Sequence, residues 1–386
     1  MVRRIAVISF VDPSFGLPDG GKQVVQRTCH LLSDRGYQVS FFAFHNKSEE
    51  KNHVLLGENT QHSGSFTCKS NLFLFVGRYP YCVERRYDRR LLRIDWNSFD
   101  AVLYEGEQVY RSFRNIHKLT RKNVVRMHDI ESEYRAQLSK SQKGPISFLN
   151  GGEARKFLTV ENELSLSGAT FCFLSCDELK IFQQRFPACK EKCFYMPPFF
   201  SFHSDGQKQV SSGRYFLYFG DMTLPNNYAS IKWYLENVFL PVQKNFPDMK
   251  IHICGKMSDK TKKEFASFGP SVFVKGFVED LDQEIRNSRL VVCPILFGAG
   301  VKIKLLESLS YGKFVIANTK AVEGLLFENN KHLIVVKNKA DFIEATAWYL
   351  DESNPVPSFS KELQEIFNEY YSPDAFMSVL EKVIYS

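Results

Sequence analysis

The alternation of short apolar runs with amphipathic stretches constrains the fold of this chain more than any other feature. The run RIAVISF is followed by the amphipathic stretch GKQVVQRTCHLLSDRG and then by QVSFFAF. A strand, a helix and a second strand in this order predict a parallel α/β unit. Three further runs continue the pattern: FDAVLYEG, NVVRMHD and ATFCFLS.

A second cycle of the same pattern follows. Its six predicted strands are GRYFLYFG, MKIHICG, SVFVKG, RLVVCPI, KFVIAN and HLIVVK. Pro197, Pro198 and the polar stretch SFHSDGQKQVSSG separate the two cycles, a composition typical of an interdomain linker. The predicted organisation is an N-terminal domain over 1–198, a linker over 199–212, a second domain over 213–365 and a C-terminal helix over 366–386.

Two doubly wound, Rossmann-like domains follow from this order of elements. The length of 386 residues supports them, because it exceeds what one hydrophobic core usually serves. In open sheets of this kind, ligands bind outside the carboxyl ends of the strands. Ligands are therefore expected there, in a central cleft that both domains face.

The nine cysteines predict a chain without a disulfide framework, because they are odd in number and lie in apolar segments. Such usage fits a reducing cytoplasm. Cys172 and Cys176, and likewise Cys189 and Cys193, have a spacing close to that of zinc ligands. Because these segments have the pattern of buried strands, core cysteines are favoured over a metal site.

Charge and hydropathy narrow the possible partners. No apolar run approaches the roughly 18 residues of a membrane span, and the N-terminus leads directly into a strand, so a cytoplasmic protein without a signal peptide is predicted. The net charge of +7 is too modest to indicate nucleic-acid binding. The segment ERRYDRRLLRIDW is predicted as a helix with one basic face, which either is solvated or contacts an anionic membrane surface. That face comprises Arg85, Arg86, Arg89, Arg90 and Arg93.

The stretch FGAGVKIKLLESLSYGKFVIANTKAVEGL has the composition of an anion site. It follows the predicted strand RLVVCPI, so Phe297 to Gly300 should form a loop and Val301 should begin a helix. Free amides at a helix start, with Lys302 and Lys304 beside them, suit a diphosphate.

Lys304 and Glu307 form the better pair for one ligand. They share a helix face, whereas Lys302 points elsewhere. A cation at the phosphates and a carboxylate one turn later, able to accept from vicinal hydroxyls, indicate a nucleoside diphosphate. The alternative is a surface Lys–Glu pair with no ligand.

A second glycine-containing loop follows the first strand. Gly20 and Gly21 precede a helix, and glycines there let backbone amides approach a phosphate or a sugar ring. The loop lacks the third glycine of a dinucleotide fingerprint and the GK[ST] of a P-loop. These gaps argue against nicotinamide binding and ATP cleavage.

Together these segments resemble the retaining GT-B glycosyltransferases of the group 1, or family 4, type. The stretch GAGVKIKLLESLSYGKFVIANTKAVEGL resembles the donor-binding signature of that family, and the resemblance covers nearly the whole chain. Three further segments are similar to family segments: LYFGDMTLPNNYASIKWYLENVFLPV, GFVEDLDQEI and VVRMHDIESEY.

The resemblance implies a nucleotide-sugar donor held by the second domain and a glycan or lipid-linked acceptor held by the first. It makes His128 and Lys304 the catalytic residues, with His128 near the reacting sugar carbon and Lys304 at the leaving diphosphate. A packed or capping histidine is the alternative for His128. Glu307 would bind the ribose hydroxyls. The implied donor-binding residues are Gly20, Gly21, Gly220, Gly298, Ala299, Gly300, Val301, Lys302, Lys304 and Glu307.

The chain departs from the family pattern at Ala299, where many relatives carry the first of two glutamates. The implied reaction retains the anomeric configuration, and no metal cofactor is expected because no Asp-x-Asp motif accompanies the donor site. Glu105 and Glu131 lie near predicted strand ends and stay open as candidates for a double displacement.

Three functions are compatible with these features. The first is a glycosyltransferase that builds a surface polysaccharide or lipopolysaccharide, peripheral to the inner face of the membrane. The second is a sugar-nucleotide epimerase on the same scaffold, which would need an acid–base pair at the sugar. The third is a partner subunit that has lost turnover.

Overall fold

The computed structural model describes residues 3–16, 19–203, 215–298, 300–350, 354 and 361–385. The chain divides into two compact units. The first comprises Met1–Pro198 together with Phe376–Ser386, and the second comprises Phe199–Ala375. The last helix therefore returns to the first unit. Most of the predicted linker, residues 204–212, lies outside the described residues.

The first unit contains a seven-stranded parallel sheet in the order β3-β2-β1-β4-β5-β6-β7. The strands are β1 (Arg4–Ser9), β2 (Gln38–His45), β3 (Thr60–Thr67), β4 (Ala101–Glu105), β5 (Asn123–Met127), β6 (Thr170–Phe173) and β7 (Cys193–Tyr195). The helices are α1 (Gly20–Asp34), α2 (Tyr81–Glu84), α3 (Tyr110–Ile116), α4 (Glu131–Ser141), α5 (Pro145–Ser165) and α6 (Cys176–Arg185). Short 3-10 turns include Leu72–Val76 and Arg89–Arg93.

The second unit contains a six-stranded parallel sheet in the order β10-β9-β8-β11-β12-β13. The strands are β8 (Phe216–Phe219), β9 (Ile251–Cys254), β10 (Val272–Gly276), β11 (Leu290–Cys293), β12 (Val315–Asn318) and β13 (Ile334–Val336). The helices are α7 (Pro225–Tyr234), α8 (Leu240–Gln243), α9 (Asp259–Ala266), α10 (Leu281–Asn287), α11 (Ile303–Ser310), α12 (Thr319–Val322), α13 (Lys339–Leu350) and α14 (Lys361–Ile366). The last helix, α15 (Pro373–Tyr385), belongs to the first unit from Phe376 onward. The α/β class and the doubly wound sheets predicted from the sequence are confirmed.

Each sheet has one point where the strand order reverses. It lies between β1 and β4 in the first unit and between β8 and β11 in the second. Helices cover both faces of such a sheet, and the central strands are accordingly apolar along their length. Doubly wound sheets bind ligands at the carboxyl ends of the strands beside this reversal. Ligands are therefore expected at the loops that follow these four strands.

The predicted helix over the arginine-rich segment is wrong. Helix α2 ends at Glu84, and a separate 3-10 turn begins only at Arg89, after an extended Asp88. The side chain of Asp88 accepts from the backbone amide of Arg90 at 2.8 Å and so caps a new turn instead of continuing the helix. The five arginines therefore do not share one helix face.

Two of these arginines bind within the first unit. Arg86 Nε donates to the carbonyl of Phe10 at 2.8 Å, and the Arg85 guanidinium lies 5.3 Å from the ring centroid of Tyr81. Arg89, Arg90 and Arg93 are exposed. The single basic face that was predicted, either solvated or in contact with a membrane, is not formed.

The cysteine pairs behave as core residues. Cys172, Cys176, Cys189 and Cys193 are free and buried, and Cys193 Sγ donates to the carbonyl of Cys189 at 3.3 Å. Within the described part of the chain, no three His, Cys, Asp or Glu side chains are grouped so that they could hold a metal ion. Among the same residues, no helix combines the length and the apolar character that a membrane span requires.

Candidate functional site

Two glycines bring the backbone close together at the carboxyl ends of β8 and β9. Gly255 has φ 126°, and a Cβ placed there would lie 1.9 Å from the carbonyl oxygen of Gly220. Gly220 has φ 153°, and its Cβ would lie 2.9 Å from Lys304 Nζ. Both positions therefore require glycine. Their close packing leaves room for the Lys304 ammonium beside the Gly220 backbone.

Lys304 extends from the first turn of α11 toward the end of β8. Its Nζ donates to Asn227 Oδ1 at 2.9 Å and to the Tyr218 hydroxyl at 3.2 Å, and it lies 4.4 Å from the centroid of the Tyr218 ring. Both of these hydrogen-bonding partners are neutral. Burial, assisted by the charge of Lys302, lowers the pKa of Lys304 to about 8. A partly desolvated cation with only neutral partners is arranged to receive an anion.

Asn227 holds its amide in one orientation. Its Nδ2 donates to the carbonyl of Asp221 at 2.9 Å, so its Oδ1 is directed to Lys304. The backbone carbonyl of Asn227 also accepts from the Tyr218 hydroxyl at 3.0 Å. Asn227 lies in the first turn of α7, which begins at Pro225. Together Tyr218 and Asn227 fix where the Lys304 ammonium lies.

The loop after β11 is anchored on both sides. The backbone amide of Leu296 donates to Ser230 Oγ of α7 at 3.1 Å. Asn318, at the end of β12, accepts from the amide of Ile295 at 3.1 Å and donates to its carbonyl at 2.6 Å. The loop is thereby held against the two neighbouring elements of the sheet.

Helix α11 begins at Ile303, two residues later than predicted. Gly300 has φ 73°, and Lys302 is extended at φ −86° and ψ 93°, so Val301 cannot be part of the helix. Lys302 Nζ donates to the carbonyl of Gly300, and Lys302 is therefore turned back onto its own loop. Gly298 has φ 116°. Ala299 lies outside the described residues.

Glu307 lies on α11 one turn after Lys304. It is 8% exposed and belongs to the buried part of the helix. Lys304 and Glu307 are three residues apart on α11, a spacing that puts two side chains on the same face of a helix. This helix begins at the carboxyl edge of the sheet. The second unit thus brings Gly220, Lys304 and the glycine-containing loop together, with Glu307 one turn away.

In the first unit, His128 follows β5 and pairs with a buried carboxylate. His128 Nε2 lies 2.6 Å from Oε2 of Glu105, the last residue of β4. Arg126 on β5 donates to Glu105 Oε1 at 3.3 Å and to Thr28 Oγ1 at 2.8 Å. His128 is 9% exposed. His128 is packed against Glu105, and it also lies at the carboxyl edge of the sheet, where ligands bind. The two interpretations of this residue, a packed histidine and a histidine of the site, are therefore compatible.

The charge of Glu105 is set by two opposing effects. Burial raises the pKa of this carboxyl group, but Arg126 and His128 lower it by more, so the pKa lies below its usual value. Glu105 is therefore ionised at neutral pH. An ionised partner on Nε2 fixes the orientation of the imidazole ring.

The glycines at the start of α1 lie near His128. Asp19 caps α1 by accepting from the amide of Lys22 at 2.9 Å, and Gly20 is the first residue of the helix. A Cβ at Gly21 would lie 3.3 Å from the Phe10 ring. The same ring packs edge-on against His128 at 5.1 Å between centroids. Gly21, Phe10 and His128 thus meet where β1, β4 and β5 end.

Glu131 is engaged in a buried polar network. It accepts from Gln108 Nε2 at 2.5 Å and from Arg135 Nε at 3.2 Å. Burial raises the pKa of nearby Glu161 to about 7, and burial together with the charge of Glu161 raises that of Glu107 well above its usual value. This network supports the start of α4 directly after His128.

Comparison with known proteins identifies the second unit. Residues 213–352 match the family model described as Glycosyl transferases group 1. The second unit is therefore similar to the group 1 glycosyltransferases. Over 405 aligned residues the chain is 22% identical to a Klebsiella pneumoniae protein described as an uncharacterized 44.6 kDa protein in the cps region, covering 98% of this chain and 99% of that one.

Solved structures of glycosyltransferases share the fold of the whole chain. The Anabaena protein Alr3699/HepE, crystallised with UDP and glucose, superposes with a TM-score of 0.66 at 12% identity, over 98% of both chains. WaaG, a glycosyltransferase involved in lipopolysaccharide biosynthesis, superposes with a TM-score of 0.64 at 14% identity, again over 98% of both chains. The chain therefore has the GT-B fold of these structures.

Three side chains of the candidate site were not predicted to support it. Tyr218 and Asn227 hold Lys304, and Glu105 holds His128. Glu105 was only an open candidate for a double displacement. Asn227 follows the first strand of the second sheet in the motif LPNN, and Tyr218 belongs to the apolar run of that strand.

Proposed function

We propose that the protein is a glycosyltransferase that moves a sugar from a nucleoside diphosphate sugar to a glycan or lipid-linked acceptor, with retention of the anomeric configuration. The observation that carries the proposal is the Lys304 ammonium, held by neutral partners beside glycine backbone at the carboxyl ends of β8 and β11. A diphosphate leaving group supplies the negative charge that the neutral partners of Lys304 do not supply. The second unit holds the donor, and the first unit supplies the acceptor side.

The donor roles follow the chemistry of the residues. Lys304 and the amides of Gly300 and Val301 bind the diphosphate, with Lys302 contributing positive charge to the same loop. Glu307 accepts hydrogen bonds from the ribose hydroxyls. The complex of HepE with UDP and glucose supports a uridine nucleotide as the first donor to test.

The transfer step breaks the bond between the anomeric carbon and the diphosphate oxygen. The acceptor oxygen forms its bond to the same carbon on the same face, and its proton passes to the leaving diphosphate. Lys304 stabilises the negative charge that develops on the leaving group. Glu105 and Glu131 both have hydrogen-bonding partners, which favours this single-face route over a double displacement by either carboxylate.

We assign His128 and the start of α1 to the part of the first unit that binds the acceptor. The imidazole, oriented by ionised Glu105, is available to contact a sugar, and the start of α1 at Gly20 and Gly21 brings backbone close to the same place. Because Lys304 and backbone amides carry the phosphate charge, transfer is expected without a divalent cation. The place of the Klebsiella relative in a cps region and the role of WaaG support a surface polysaccharide or lipopolysaccharide product.

The decisive experiment is donor turnover by the purified protein. A panel of nucleoside diphosphate sugars is incubated with the protein, and the anomeric configuration of any transferred or hydrolysed sugar is read by NMR. Release of the α-sugar from an α-linked donor supports the proposal. Release of the inverted sugar contradicts retention, an epimerised sugar nucleotide identifies an epimerase, and no turnover of any donor identifies a non-catalytic partner.

Glu307→Gln tests the ribose contact. The substitution keeps the size of the side chain but removes the charge that favours two hydroxyl donors, so UDP affinity is expected to fall about tenfold. Isothermal titration of UDP into both proteins measures the change. Glu323→Gln, on an exposed carboxylate paired with Lys320, is the matched control. Equal affinities for Glu307→Gln and the wild type would place the ribose elsewhere.

The pKa of Lys304 predicts how nucleotide binding depends on pH. In the free protein the ammonium is lost as the pH rises through about 8, well below the ordinary 10.5. Because the diphosphate needs the charged form, UDP affinity should fall by up to about tenfold per pH unit above this value. Titrations at increasing pH measure the slope. Lys304→Arg stays charged and should lose most of this slope, and an equal slope in both proteins would assign the titration to another group.

A further inference from the structure

A groove lies between helix α13 and strand β13 in the second unit. Its volume is about 430 Å³, within the range of small-molecule sites in proteins. One wall is formed by Ile334 and Val335 of β13, the edge strand of the six-stranded sheet. Among the described residues, the lining lies between Asn329 and Tyr349 and includes none of those assigned to the donor. The groove is therefore distinct from the candidate site described above.

The other wall of the groove is one face of α13. Asp341, Glu344 and Trp348 follow one another at spacings of three and four residues, so they project from the same side of the helix. Ala345 lies on this face as well, and its small side chain leaves space between the two carboxylates and the indole. The groove thus has a polar part and an aromatic part along one helix.

The indole of Trp348 is the exposed aromatic surface of this groove. The chain has three tryptophans. Trp96 is 1% exposed and Trp233 packs against the core of the second unit, whereas Trp348 is 54% exposed. An exposed indole beside a concave, partly apolar wall is typical of a ligand-binding site.

The end of α13 that carries this indole is fixed. Asn354 Nδ2 donates to the carbonyl of Trp348 at 3.0 Å, and Arg289 Nε donates to the carbonyl of Tyr349 at 2.6 Å. These bonds satisfy two of the carbonyl groups that a helix leaves without partners at its end. The helix backbone beneath the indole is thus held before any ligand binds, which lowers the entropy cost of binding.

The outer edge of β13 is closed to an added peptide strand. The strand spans three residues, and the amide of its middle residue, Val335, donates to Asn329 Oδ1 at 2.7 Å. The turn before the strand is closed too, because the amide of Asn330 donates to the carbonyl of Leu333 at 2.8 Å. A peptide that extends a sheet pairs with such backbone groups. The occupant of the groove is therefore not expected to be an extended peptide.

The polar side chains of the groove are suited to hydroxyl groups. Glu344 is exposed, and Asp341 is half-buried with Oδ2 accepting from the amide of Lys337 at 3.0 Å. Carboxylates accept hydrogen bonds from hydroxyls, while the Lys337 ammonium and the Asn330 amide can donate to them. Two carboxylates beside one lysine disfavour an anionic ligand such as a nucleotide.

A sugar chain combines the two properties that this groove requires. The C–H faces of a sugar ring are apolar and pack on an aromatic ring, and its hydroxyls lie around the ring edge, where carboxylates and amides bind them. The face of α13 from Asp341 to Trp348 is about 10 Å long, which exceeds the length of one sugar ring. We propose that the groove between α13 and β13 binds a neutral oligosaccharide.

The place of the groove in the sheet gives this binding a use. Strand β13 is separated from β11 by β12 alone, a distance of about 10 Å, and the loop after β11 leads into the donor segment. The unit that holds the donor would thus also hold a glycan chain, at a place apart from Lys304. This role, retention of the acceptor or product chain on the enzyme, rests on the proposed function, whereas oligosaccharide binding does not.

Ligand-observed NMR with the full-length protein tests the proposal. Saturation-transfer difference spectra are recorded with three neutral tetrasaccharides: maltotetraose, cellotetraose and tetra-N-acetylchitotetraose. At least one of them should bind with a Kd of about 1 mM. Trp348→Ala should weaken this binding about tenfold or more, Trp348→Phe by less than about fivefold, and Glu344→Ala by about threefold. Excess UDP should not displace the tetrasaccharide.

The chain offers a matched control for each kind of side chain. Phe148→Ala removes an aromatic ring that is 81% exposed in the first unit. Glu236→Ala removes an exposed carboxylate of the second unit that lies between α7 and α8, outside the groove. Both controls should bind the tetrasaccharide as the wild type does.

Four outcomes would overturn the proposal. The first two are the absence of binding by all three tetrasaccharides and equal losses in the test and control variants. The third is displacement by UDP, which would place the tetrasaccharide in the donor site. The fourth is a concentration-dependent dimer that Trp348→Ala abolishes without binding of any tetrasaccharide, which would assign the groove to a second copy.

The donor site is followed separately in the same proteins. Thermal stabilisation by UDP is recorded for every variant, and Trp348→Ala should be stabilised as the wild type is. Loss of tetrasaccharide binding with intact UDP stabilisation and donor turnover would refute the groove alone. Tetrasaccharide binding by a protein that turns over no donor would refute the proposed function and leave the groove as a glycan-binding site.

Discussion

Lys304→Met is expected to reduce the rate of sugar transfer about a hundredfold to a thousandfold while the protein stays folded. The side chain keeps its length, but the ammonium that faces the leaving diphosphate is lost. In the free protein, burial destabilises the charged form of this side chain and lowers its pKa to about 8. Removal of the charge should therefore not lower the free energy of unfolding. Donor turnover and urea denaturation of the same preparation measure both quantities.

Lys302→Met is the matched control for this prediction. Lys302 is two residues away and carries the same charge, but its Nζ is bound to the carbonyl of Gly300. Its loss should reduce the rate by less than about tenfold. If the two variants lose activity equally, the positive charge of the loop as a whole, and not the position of Lys304, serves the leaving group. Near-normal turnover by Lys304→Met would remove the assignment altogether.

The expected combination of lower activity and undiminished stability has a physical origin in the partners of Lys304. Tyr218 and Asn227 are neutral, so they orient the ammonium without neutralising it. A carboxylate at either place would stabilise the free protein and compete with the diphosphate. The positive charge of Lys304 is therefore not neutralised in the free protein and stays available for the diphosphate. Preorganised electrostatic sites stabilise a developing negative charge in this way.

The strands of both sheets could largely be predicted from the sequence, because strands buried on both faces are continuous apolar runs. All six predicted strands of the second sheet are confirmed. Strand β3 was missed because its sequence, TQHSGSFT, is polar and it pairs with β2 alone at the edge of the sheet. The arginine-rich helix was wrong because the Asp88 side chain caps a new turn, a local competition that helical spacing does not reveal.

The candidate site was predictable only in part, for a related reason. Lys304 and Glu307 lie in one motif, so their spacing on a helix was sufficient to pair them. Tyr218 and Asn227 reach Lys304 only because β8 and β11 are neighbours in the sheet, although more than 70 residues separate them along the chain. Glu105 reaches His128 in the same way, across β4 and β5. Such pairs require the strand order, which one sequence does not contain.

Gly255→Ala is expected to reduce the free energy of unfolding by about 3 to 5 kcal/mol more than Gly269→Ala does. Both glycines have positive φ, 126° and 130°, so the backbone strain of an added side chain is similar in the two variants. They differ in their surroundings. A Cβ at Gly255 would lie 1.9 Å from the Gly220 carbonyl, whereas a Cβ at Gly269 meets nothing within 4 Å.

The clash at Gly255 cannot be relieved by a side-chain movement, because the atom it meets is backbone. Gly220 donates to the carbonyl of Cys254 at 3.0 Å, and Gly255 donates to that of Gly276 at 2.7 Å, so the ends of β8, β9 and β10 must shift together. Gly220 also lines the position of the Lys304 ammonium. Gly255→Ala should therefore weaken UDP binding as well, and Gly269→Ala should not. Urea denaturation and UDP titration measure the two effects, and equal destabilisation in both variants would show that strain at positive φ alone explains the requirement for glycine.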